Sequence, residues 1–427
     1  MTTHPLAGLA TARANGTPRG ITSVCSAHPV VIEAALREAA ETGEHALIEA
    51  TCNQVNHEGG YTGLTPAAFR DAVLAIAGRV GLPRERLILG GDHLGPNPWK
   101  HLPAEAALER AAAMVGAYVE AGFEKIHLDT SMGCAGEPPG LPDALTAARA
   151  ARLAAVAEAA VAAGTTPHYV IGTEVPTPGG ATQTIEHLAV TRAEAAAATL
   201  RVHREAFAAA GAEAAFGRVI ALVVQPGVEF GNANVVVYRP ERARSLSAAL
   251  AGMPGLVFEA HSTDYQPPAA LAALVRDGFA ILKVGPALTF ALREALYDLD
   301  QIATALDPAW RTQSLAGVME QVMRADPAHW LSHYPGTPEQ QYVLRHYSYS
   351  DRIRYYWTVP EAKQGVERLL ARLQGARIPE TLISQFLPLL YRRVMDGRLR
   401  PEPEALLRAA VGDVLSVYNQ ASVGGFQ

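Results

Sequence analysis

The chain of 427 residues has few cysteines, few lysines and few aromatic residues. Three cysteines without the spacing of a metal site are too few for a disulfide framework, so a reduced, cytoplasmic setting is expected. A membrane span needs about 20 apolar residues, and charged side chains interrupt the alanine-rich stretches. Residues 1–16 have neither a charged start nor a long apolar segment, and we therefore expect no signal peptide.

The charge balance is mildly acidic. The 36 lysines and arginines and the 42 acidic residues give a net charge of −6, which excludes the basic surface typical of nucleic-acid binding. We therefore expect no nucleic-acid partner and no membrane association. Hydrophobic residues make up 49% of the chain and charged residues 18%, which excludes a disordered protein.

Short apolar runs alternate with segments of helical periodicity. Unbroken runs such as VIALVV suit parallel strands covered on both faces. Eight strand–helix units favour a (β/α)₈ TIM barrel, because no GxGxxG motif or P-loop supports a doubly wound sheet. Residues 1–300 are predicted to form this barrel and to carry the site, and residues 301–427 a helical extension packed on it. The sequence predicts strands over Gly20–His28, Ala46–Asn56, Leu87–Gly95, Lys125–Ser131, His168–Pro176, Val219–Gly227, Leu256–Tyr265 and Ile281–Leu288.

Polar side chains follow six consecutive predicted strands, at the end where barrel enzymes carry their active sites. One such residue is compatible with a hydrogen-bonded core group, but six strands ending this way indicate a site. The residues are Asp92 and His93 after the third strand, Asp129 after the fourth, Glu174 after the fifth, Gln225 and Glu229 after the sixth, His261, Ser262, Thr263 and Asp264 after the seventh, and Lys283 and Gly285 in the eighth.

Histidines and carboxylates from different strands can together hold a divalent cation. Zn²⁺ suits such a mixed set of ligands, with Mn²⁺, Ni²⁺ and Mg²⁺ as alternatives. A carboxylate beside the ligands can transfer protons, orient a ligand or bind the metal itself. Lys283 can pair with a carboxylate, contact substrate or form a Schiff base. His127 is expected to be a satisfied core histidine and Cys25 a small apolar filler, whereas His28 is equally compatible with the mouth of the barrel.

A phosphate site is common at the seventh and eighth loops of this fold. Ser262, Thr263 and Gly285 would supply its donors. In the tail, the segment SYSDRIRYYW places two arginines among aromatic residues. Two interpretations stay open: a packed helical contact, or an arm over the mouth in which Arg354 binds a substrate phosphate.

Five motifs together resemble a known family. GGDHLGPNPW, HLDTSMGCAGEP, IGTEVPTPGGA, EAHSTDYQ and SYSDRIRYYW are similar to the family usually called the non-catalytic subunit of class II tagatose-bisphosphate aldolase, and the resemblance covers nearly the whole chain. Some members act alone as 4-epimerases of ketohexoses or their 6-phosphates. The resemblance implies such an epimerase, for D-fructose 6-phosphate and D-tagatose 6-phosphate or the free sugars. A stabilising subunit of a separate aldolase, or an aldolase in its own right, is the alternative.

The family is in turn similar to the zinc-dependent class II aldolases. That resemblance implies that Asp92 transfers protons and that His93 and His261 bind metal. The sixth-strand histidine ligand of those aldolases has no counterpart here, and Glu229 is the predicted replacement. Together, the residues and the resemblance predict catalytic groups at Asp92, Asp129 and Glu174, metal ligands at His93, Glu229 and His261, and substrate or phosphate contacts at Ser262, Thr263, Lys283, Gly285 and Arg354.

The chemistry of a 4-epimerase narrows the mechanism. The C4 hydrogen of a 2-ketose is not adjacent to the carbonyl, so simple deprotonation cannot invert C4. Transient oxidation would need a nicotinamide, whose fingerprint the sequence lacks. Cleavage of the C3–C4 bond and re-addition to the other face of the aldehyde suits an aldolase-like metal site. We therefore predict a metal-dependent retro-aldol epimerase, with a partner aldolase subunit and a homo-oligomer as open alternatives.

Overall fold

The computed structural model describes residues 4–161, 164–173 and 188–424. Eight parallel strands close into a barrel, and a two-stranded antiparallel hairpin lies in the loop after the sixth of them. The strands are β1 (Ile21–Cys25), β2 (Ala46–Thr51), β3 (Leu87–Leu94), β4 (Lys125–Leu128), β5 (His168–Ile171), β6 (Val219–Val224), the hairpin strands β7 (Glu229–Phe230) and β8 (Val235–Val236), β9 (Val257–Ala260) and β10 (Phe279–Val284).

The barrel order is β1-β10-β9-β6-β5-β4-β3-β2, so the predicted TIM barrel is confirmed. Strand β6, the VIALVV run, is buried along its whole length, as expected for a parallel strand covered on both faces. Each of the eight predicted strands is present but ends earlier than predicted. Asp92 and His93 lie within β3 and Lys283 within β10, whereas Asp129, Gln225 and the residues from His261 to Asp264 lie in loops after their strands.

Helices surround the barrel and form the tail. Helix α3 illustrates the local signals: the Thr65 hydroxyl caps its first turn, Pro66 begins it, and Gly81 ends it with φ 75°. The helices are α1 (Pro5–Ala14), α2 (Pro29–Thr42), α3 (Pro66–Val80), α4 (Ala104–Glu120), α5 (Asp143–Ala159), α6 (Ala193–Ala209), α7 (Glu213–Phe216), α8 (Pro240–Ala249), α9 (Pro268–Arg276), α10 (Pro286–Leu306), α11 (Leu315–Ala325), α12 (Pro338–Tyr347), α13 (Pro360–Leu373), α14 (Glu380–Phe386), α15 (Pro388–Met395) and α16 (Pro403–Ser422).

The last helix returns to the barrel wall. Helix α16 packs against α2, α9 and α10, and the Ser422 carbonyl accepts a hydrogen bond from the Gly20 amide at 2.8 Å. Leu406, Val411 and Leu415 of α16 join the same hydrophobic core as the barrel helices. The division of the chain at residue 300 stays a prediction, and the two parts share one core. Within the described ranges, no helix combines the length and the apolar character needed to cross a bilayer.

Candidate functional site

A pocket lies at the carboxyl ends of the barrel strands, where the sequence predicts the site. Part of its lining comes from residues at strand ends, including Asp92, His93, His261 and Lys283. Another part comes from the loop after β2 and from the tail, which contributes Arg354. The tail therefore completes the pocket, and this placement favours the interpretation of an arm over the mouth.

A distortion at the end of β3 turns two consecutive side chains into the pocket. The pairing of β3 with β4 shifts register here, and His93 adopts a left-handed conformation with φ 50°. In a regular strand Asp92 and His93 would point to opposite faces. Gly95 is the first residue after β3, and a Cβ there would lie 1.7 Å from the Asp129 carbonyl oxygen. The glycine therefore lets the β3 end lie directly against the end of β4.

Three imidazole rings form a cluster that we call the histidine triangle, comprising His93, His127 and His261. Their ring centroids lie 5.1, 4.9 and 5.2 Å apart. One nitrogen of each ring is held by a carboxylate, an arrangement that orients metal-binding histidines in proteins. The pairs are His93 Nδ1 with Asp129 Oδ2 at 2.7 Å, His127 Nδ1 with Asp92 Oδ1 at 2.8 Å, and His261 Nε2 with Glu259 Oε1 at 2.8 Å.

The free nitrogen atoms fit a metal ion. His127 Nε2 is buried and has no hydrogen-bond partner among the described residues. Ligand atoms of Asp92, His127, Glu259 and His261 all lie within 4.8 Å of one another. Two nitrogen or oxygen ligands of one Zn²⁺ lie at most about 4.2 Å apart, which is twice the metal–ligand bond length. Small movements of these four side chains would therefore bring their ligand atoms into coordination distance of one ion. An unpaired buried nitrogen among three oriented imidazoles is therefore the chemical setting of a divalent-cation site.

A buried network of charges lies beside the triangle. Lys283 Nζ lies 3.0 Å from Asp92 Oδ2 and also pairs with Glu49, while Lys125 Nζ lies 2.7 Å from Glu49 and 2.8 Å from Glu259. Burial opposes the charge of Lys283, but Asp92 and Glu49 raise its pKa well above the usual value. The raised pKa favours the ammonium form, so the setting supports the predicted role of Lys283 as the partner of a carboxylate over that of a Schiff-base nucleophile.

Asp92 is ionised in this setting. Burial opposes its ionisation, but His93 and Lys283 hold the pKa of Asp92 well below its usual value. Asp129 lies behind His93, where the hydrogen bond from His93 outweighs burial and lowers the pKa of Asp129 to about 2. This carboxylate holds the His93 ring and is not among the residues that line the pocket, and its catalytic role stays a prediction. Glu174 lies outside the described residues.

Glu229 does not join the metal-ligand cluster of the described residues. Its carboxylate accepts a hydrogen bond from the Phe230 amide and lies near the Ser262 hydroxyl, and burial raises the pKa of Glu229 to about 7. His127 belongs to that cluster and leaves one ring nitrogen unpaired, so it is not the satisfied core histidine expected. His93, like Glu229, is not among the four residues of the cluster, and both stay predicted ligands. Ser262 lines the pocket, and its contact with a substrate phosphate stays a prediction.

Two of the predicted phosphate donors are already engaged. The Thr263 hydroxyl is fully buried and donates to the Lys283 carbonyl at 2.6 Å. The Gly285 amide donates to Asp264 Oδ1 at 3.0 Å. Both donors therefore have partners within the chain, and the substrate or phosphate contacts of Thr263 and Gly285 stay predictions. The guanidinium of Arg354 lines the pocket, and its described hydrogen bonds reach only neutral oxygens.

The structure also shows where Cys25 and His28 lie. Cys25 lines the pocket, with its thiol 3.5 Å from Asp92 Oδ2, and burial raises its pKa well above the usual value. Cys25 therefore contributes a protonated thiol to the lining of the pocket and is not the apolar filler expected. His28 lies at the start of α2, where its ring accepts a hydrogen bond from the Val30 amide. This histidine caps a helix.

Sequence reasoning missed Glu49, Lys125 and Glu259. Each is a charged residue within an otherwise apolar strand, in ALIEAT, KIHL and VFEA respectively. A full charge inside a buried parallel strand is rarely tolerated without a partner. The charged residues in these strands therefore indicated a buried network of ion pairs. Gly90 was a second signal, because a Cβ there would lie 2.7 Å from the Glu49 side chain.

The fold and the site define a class of protein: a (β/α)₈ barrel with a histidine–carboxylate centre at the ends of its strands. The chain belongs to the family described as D-tagatose-1,6-bisphosphate aldolase subunit GatZ/KbaZ-like, whose model matches residues 6–423. The family membership expected from the five motifs is thus confirmed.

Individual relatives carry different names. A D-tagatose 6-phosphate 4-epimerase of Agrobacterium fabrum is 58% identical over 98% of this chain and 99% of its own length. A D-tagatose-1,6-bisphosphate aldolase subunit GatZ of Klebsiella pneumoniae is 52% identical over 93% of this chain and 95% of its own. A crystal structure from Sinorhizobium meliloti, described as a probable tagatose 6 phosphate kinase, is 60% identical with a TM-score of 0.88, covering 94% of this chain and 100% of that one.

Proposed function

We propose that this chain is a carbohydrate epimerase that interconverts D-fructose 6-phosphate and D-tagatose 6-phosphate at C4. The observation that carries the proposal is the histidine triangle, with its carboxylate-held rings next to an ionised Asp92 in a pocket. The name of the 58% identical relative supports the same reaction. The free ketohexoses are alternative substrates of the same chemistry.

Asp92 is the proposed proton-transfer group. When the C3–C4 bond breaks, Asp92 takes the proton of the C4 hydroxyl, the C4–O bond becomes a carbonyl, and the bond electrons pass to the C2 carbonyl of the other fragment as an enediolate. The aldehyde then rotates. The enediolate attacks its other face, and Asp92 returns the proton to O4, so that no atom is gained or lost and only the configuration at C4 changes.

Other residues of the pocket have supporting roles. Lys283 neutralises Asp92 from 3.0 Å and fixes its carboxylate, so that the charge stays buried beside the substrate. Arg354 supplies the positive charge for the substrate phosphate, since a guanidinium matches a phosphate with two parallel hydrogen bonds. These assignments place the reacting carbons between the triangle and the tail.

The histidine triangle would hold the divalent cation, with Zn²⁺ the best match to three imidazoles and Mn²⁺, Ni²⁺ and Mg²⁺ as alternatives. Such an ion, when bound, supplies Lewis-acid stabilisation of the negative charge that develops on the C2 oxygen. Asp129 and Glu259 fix the rings of His93 and His261 from behind, which determines the nitrogen that each ring presents.

A second function is favoured by one observation. The 52% identical relative is named as a subunit of a bisphosphate aldolase, so the chain could stabilise a separate aldolase subunit. In that case the purified chain alone would not convert the sugar phosphate.

A cytoplasmic location is part of the proposal, because Cys25, Cys52 and Cys134 are free and sugar phosphates are intracellular metabolites.

The direct test uses the purified chain alone. Incubated with D-fructose 6-phosphate and Zn²⁺ or Mn²⁺, it is expected to form D-tagatose 6-phosphate without accumulating trioses, as measured by chromatographic separation of the ketoses. Chelation and dialysis should lower the rate at least about 100-fold, and added metal should restore it. No conversion with any metal would favour the subunit function, and an unchanged rate after complete metal removal would refute the Lewis-acid mechanism. Free D-fructose in parallel reports whether phosphate is required.

His127→Gln tests the proposed ligand set without reference to activity. Loss of one ring nitrogen from the triangle should weaken Zn²⁺ binding by about 100-fold or more, measured by competition with a chelating dye. The matched control is His203→Gln, since His203 is equally buried but lies on α6, where its ring bonds the Thr199 carbonyl. Equal Zn²⁺ affinity of the two variants would remove His127 from the metal site.

A further inference from the structure

The start of α10 has its anion-binding position already filled. In (β/α)₈ barrels the amides that follow the last strand commonly bind a phosphate, because the helix N-terminus is electropositive. Here Asp264 Oδ1 accepts hydrogen bonds from the Gly285 amide at 3.0 Å and from the Ala287 amide at 2.8 Å. The chain's own carboxylate therefore takes the place that a ligand phosphate would occupy.

Asp264 is fixed there. Its side chain is 3% exposed yet lines the pocket, so it forms part of the wall that a substrate meets. The preceding residue, Thr263, is held by Lys283 and Tyr418, and the following residue, Tyr265, has φ 61°. A backbone constrained on both sides keeps the carboxylate against the α10 amides.

The charge of this carboxylate matters for the pocket. Burial raises the pKa of Asp264 to about 6, opposed by the amides of Ala287 and Gly285 and by the positive charge of Arg354, so the group is ionised at pH 8. A phosphate brought to this end would find no free amide and would face a like charge. A hydroxyl group, by contrast, can donate a hydrogen bond to the carboxylate.

We propose that Asp264 limits the substrate to one phosphate by occupying the phosphate position at the start of α10. The proposal rests on the proposed function and specifies its substrate class: a ketohexose monophosphate whose unphosphorylated end meets Asp264. A 1,6-bisphosphate carries phosphate at both ends, so one of them meets this carboxylate in either direction of binding. The residue thereby separates an epimerase of monophosphates from enzymes that act on bisphosphates.

The test compares the binding of two ligands at pH 8 by titration calorimetry, with D-fructose 6-phosphate and D-fructose 1,6-bisphosphate as the probes and the metal-loaded full chain as the protein. The wild type should bind the bisphosphate at least about tenfold more weakly than the monophosphate. In Asp264→Ala the freed amides should strengthen bisphosphate binding by at least about tenfold, while monophosphate binding should not improve. Asp264→Asn fills the same space without the charge and should show an intermediate gain.

Two results would overturn the proposal: equal binding of the two ligands by the wild type, or an unchanged ratio of their affinities in both variants. If Asp264→Ala does not fold, as judged by thermal unfolding, the ratio in Asp264→Asn decides. Binding is read separately from turnover. A wild type that binds but does not epimerise would refute the proposed function alone, whereas an active epimerase with an unchanged ratio would refute the role of Asp264 alone.

Discussion

Asp92→Asn is expected to lower kcat for the epimerisation of D-fructose 6-phosphate by about 10³-fold, within the range that a positioned acid–base group contributes. The carboxylate lines the pocket, and its oxygens lie 2.8 Å from His127 Nδ1 and 3.0 Å from Lys283 Nζ. An amide of the same shape cannot take the C4 hydroxyl proton. The rate is measured by separating the two ketose phosphates under saturating Zn²⁺, so that weaker metal binding does not account for the loss.

The control for this variant is Asp71→Asn. Asp71 lies on α3 with its side chain 65% exposed and pairs only with neighbouring Arg70 among the described residues, so its loss should leave turnover unchanged. Thermal unfolding of both variants reports whether the fold is intact. A folded, metal-saturated Asp92→Asn protein that retains more than about a tenth of the wild-type kcat would exclude Asp92 as the proton-transfer group.

The barrel could be predicted because its signals are local. An apolar run such as Val219–Val224 specifies a buried parallel strand wherever it lies in the fold, and the repetition of strand and helix specifies the topology. The end of β3 could also be predicted as a site, since Asp92 and His93 interrupt an apolar strand. The register shift at which both residues turn toward the pocket depends on how β3 meets β4, which a single sequence does not reveal.

The histidine triangle could be predicted only in part, because it depends on which side chains closure of the barrel brings together. His127 lies within a strand, where a core histidine and an inward-facing ligand have the same local sequence. Glu229 follows β6 as a ligand would, but the hairpin of β7 and β8 directs its carboxylate to Ser262. The engagement of Gly285 by Asp264 is likewise a contact between loops 21 residues apart.

Lys125→Met is expected to destabilise the fold by about 3–5 kcal/mol, the usual cost of removing one partner from a buried ion pair. Lys125 is completely buried, and its ammonium lies 2.7 Å from Glu49 and 2.8 Å from Glu259. Methionine keeps an unbranched side chain that is one atom shorter, and it leaves two carboxylates in the barrel with one cation fewer. The free energy of unfolding is measured by urea titration with a constant m-value as the test of two-state behaviour.

Lys363→Met is the matched control, because Lys363 lies exposed on α13 and its replacement should change the free energy of unfolding by less than about 0.5 kcal/mol. A loss of similar size in the two variants would show that the network around Glu49 is not a structural requirement. The double variant Lys125→Met/Glu259→Gln also removes one of the two carboxylate charges that lost their lysine partner. It should therefore recover part of the free energy of unfolding. Glu259 also accepts a hydrogen bond from His261, so the double variant should regain stability without regaining full Zn²⁺ affinity. That result would show that the buried charges also orient the residues of the proposed metal site.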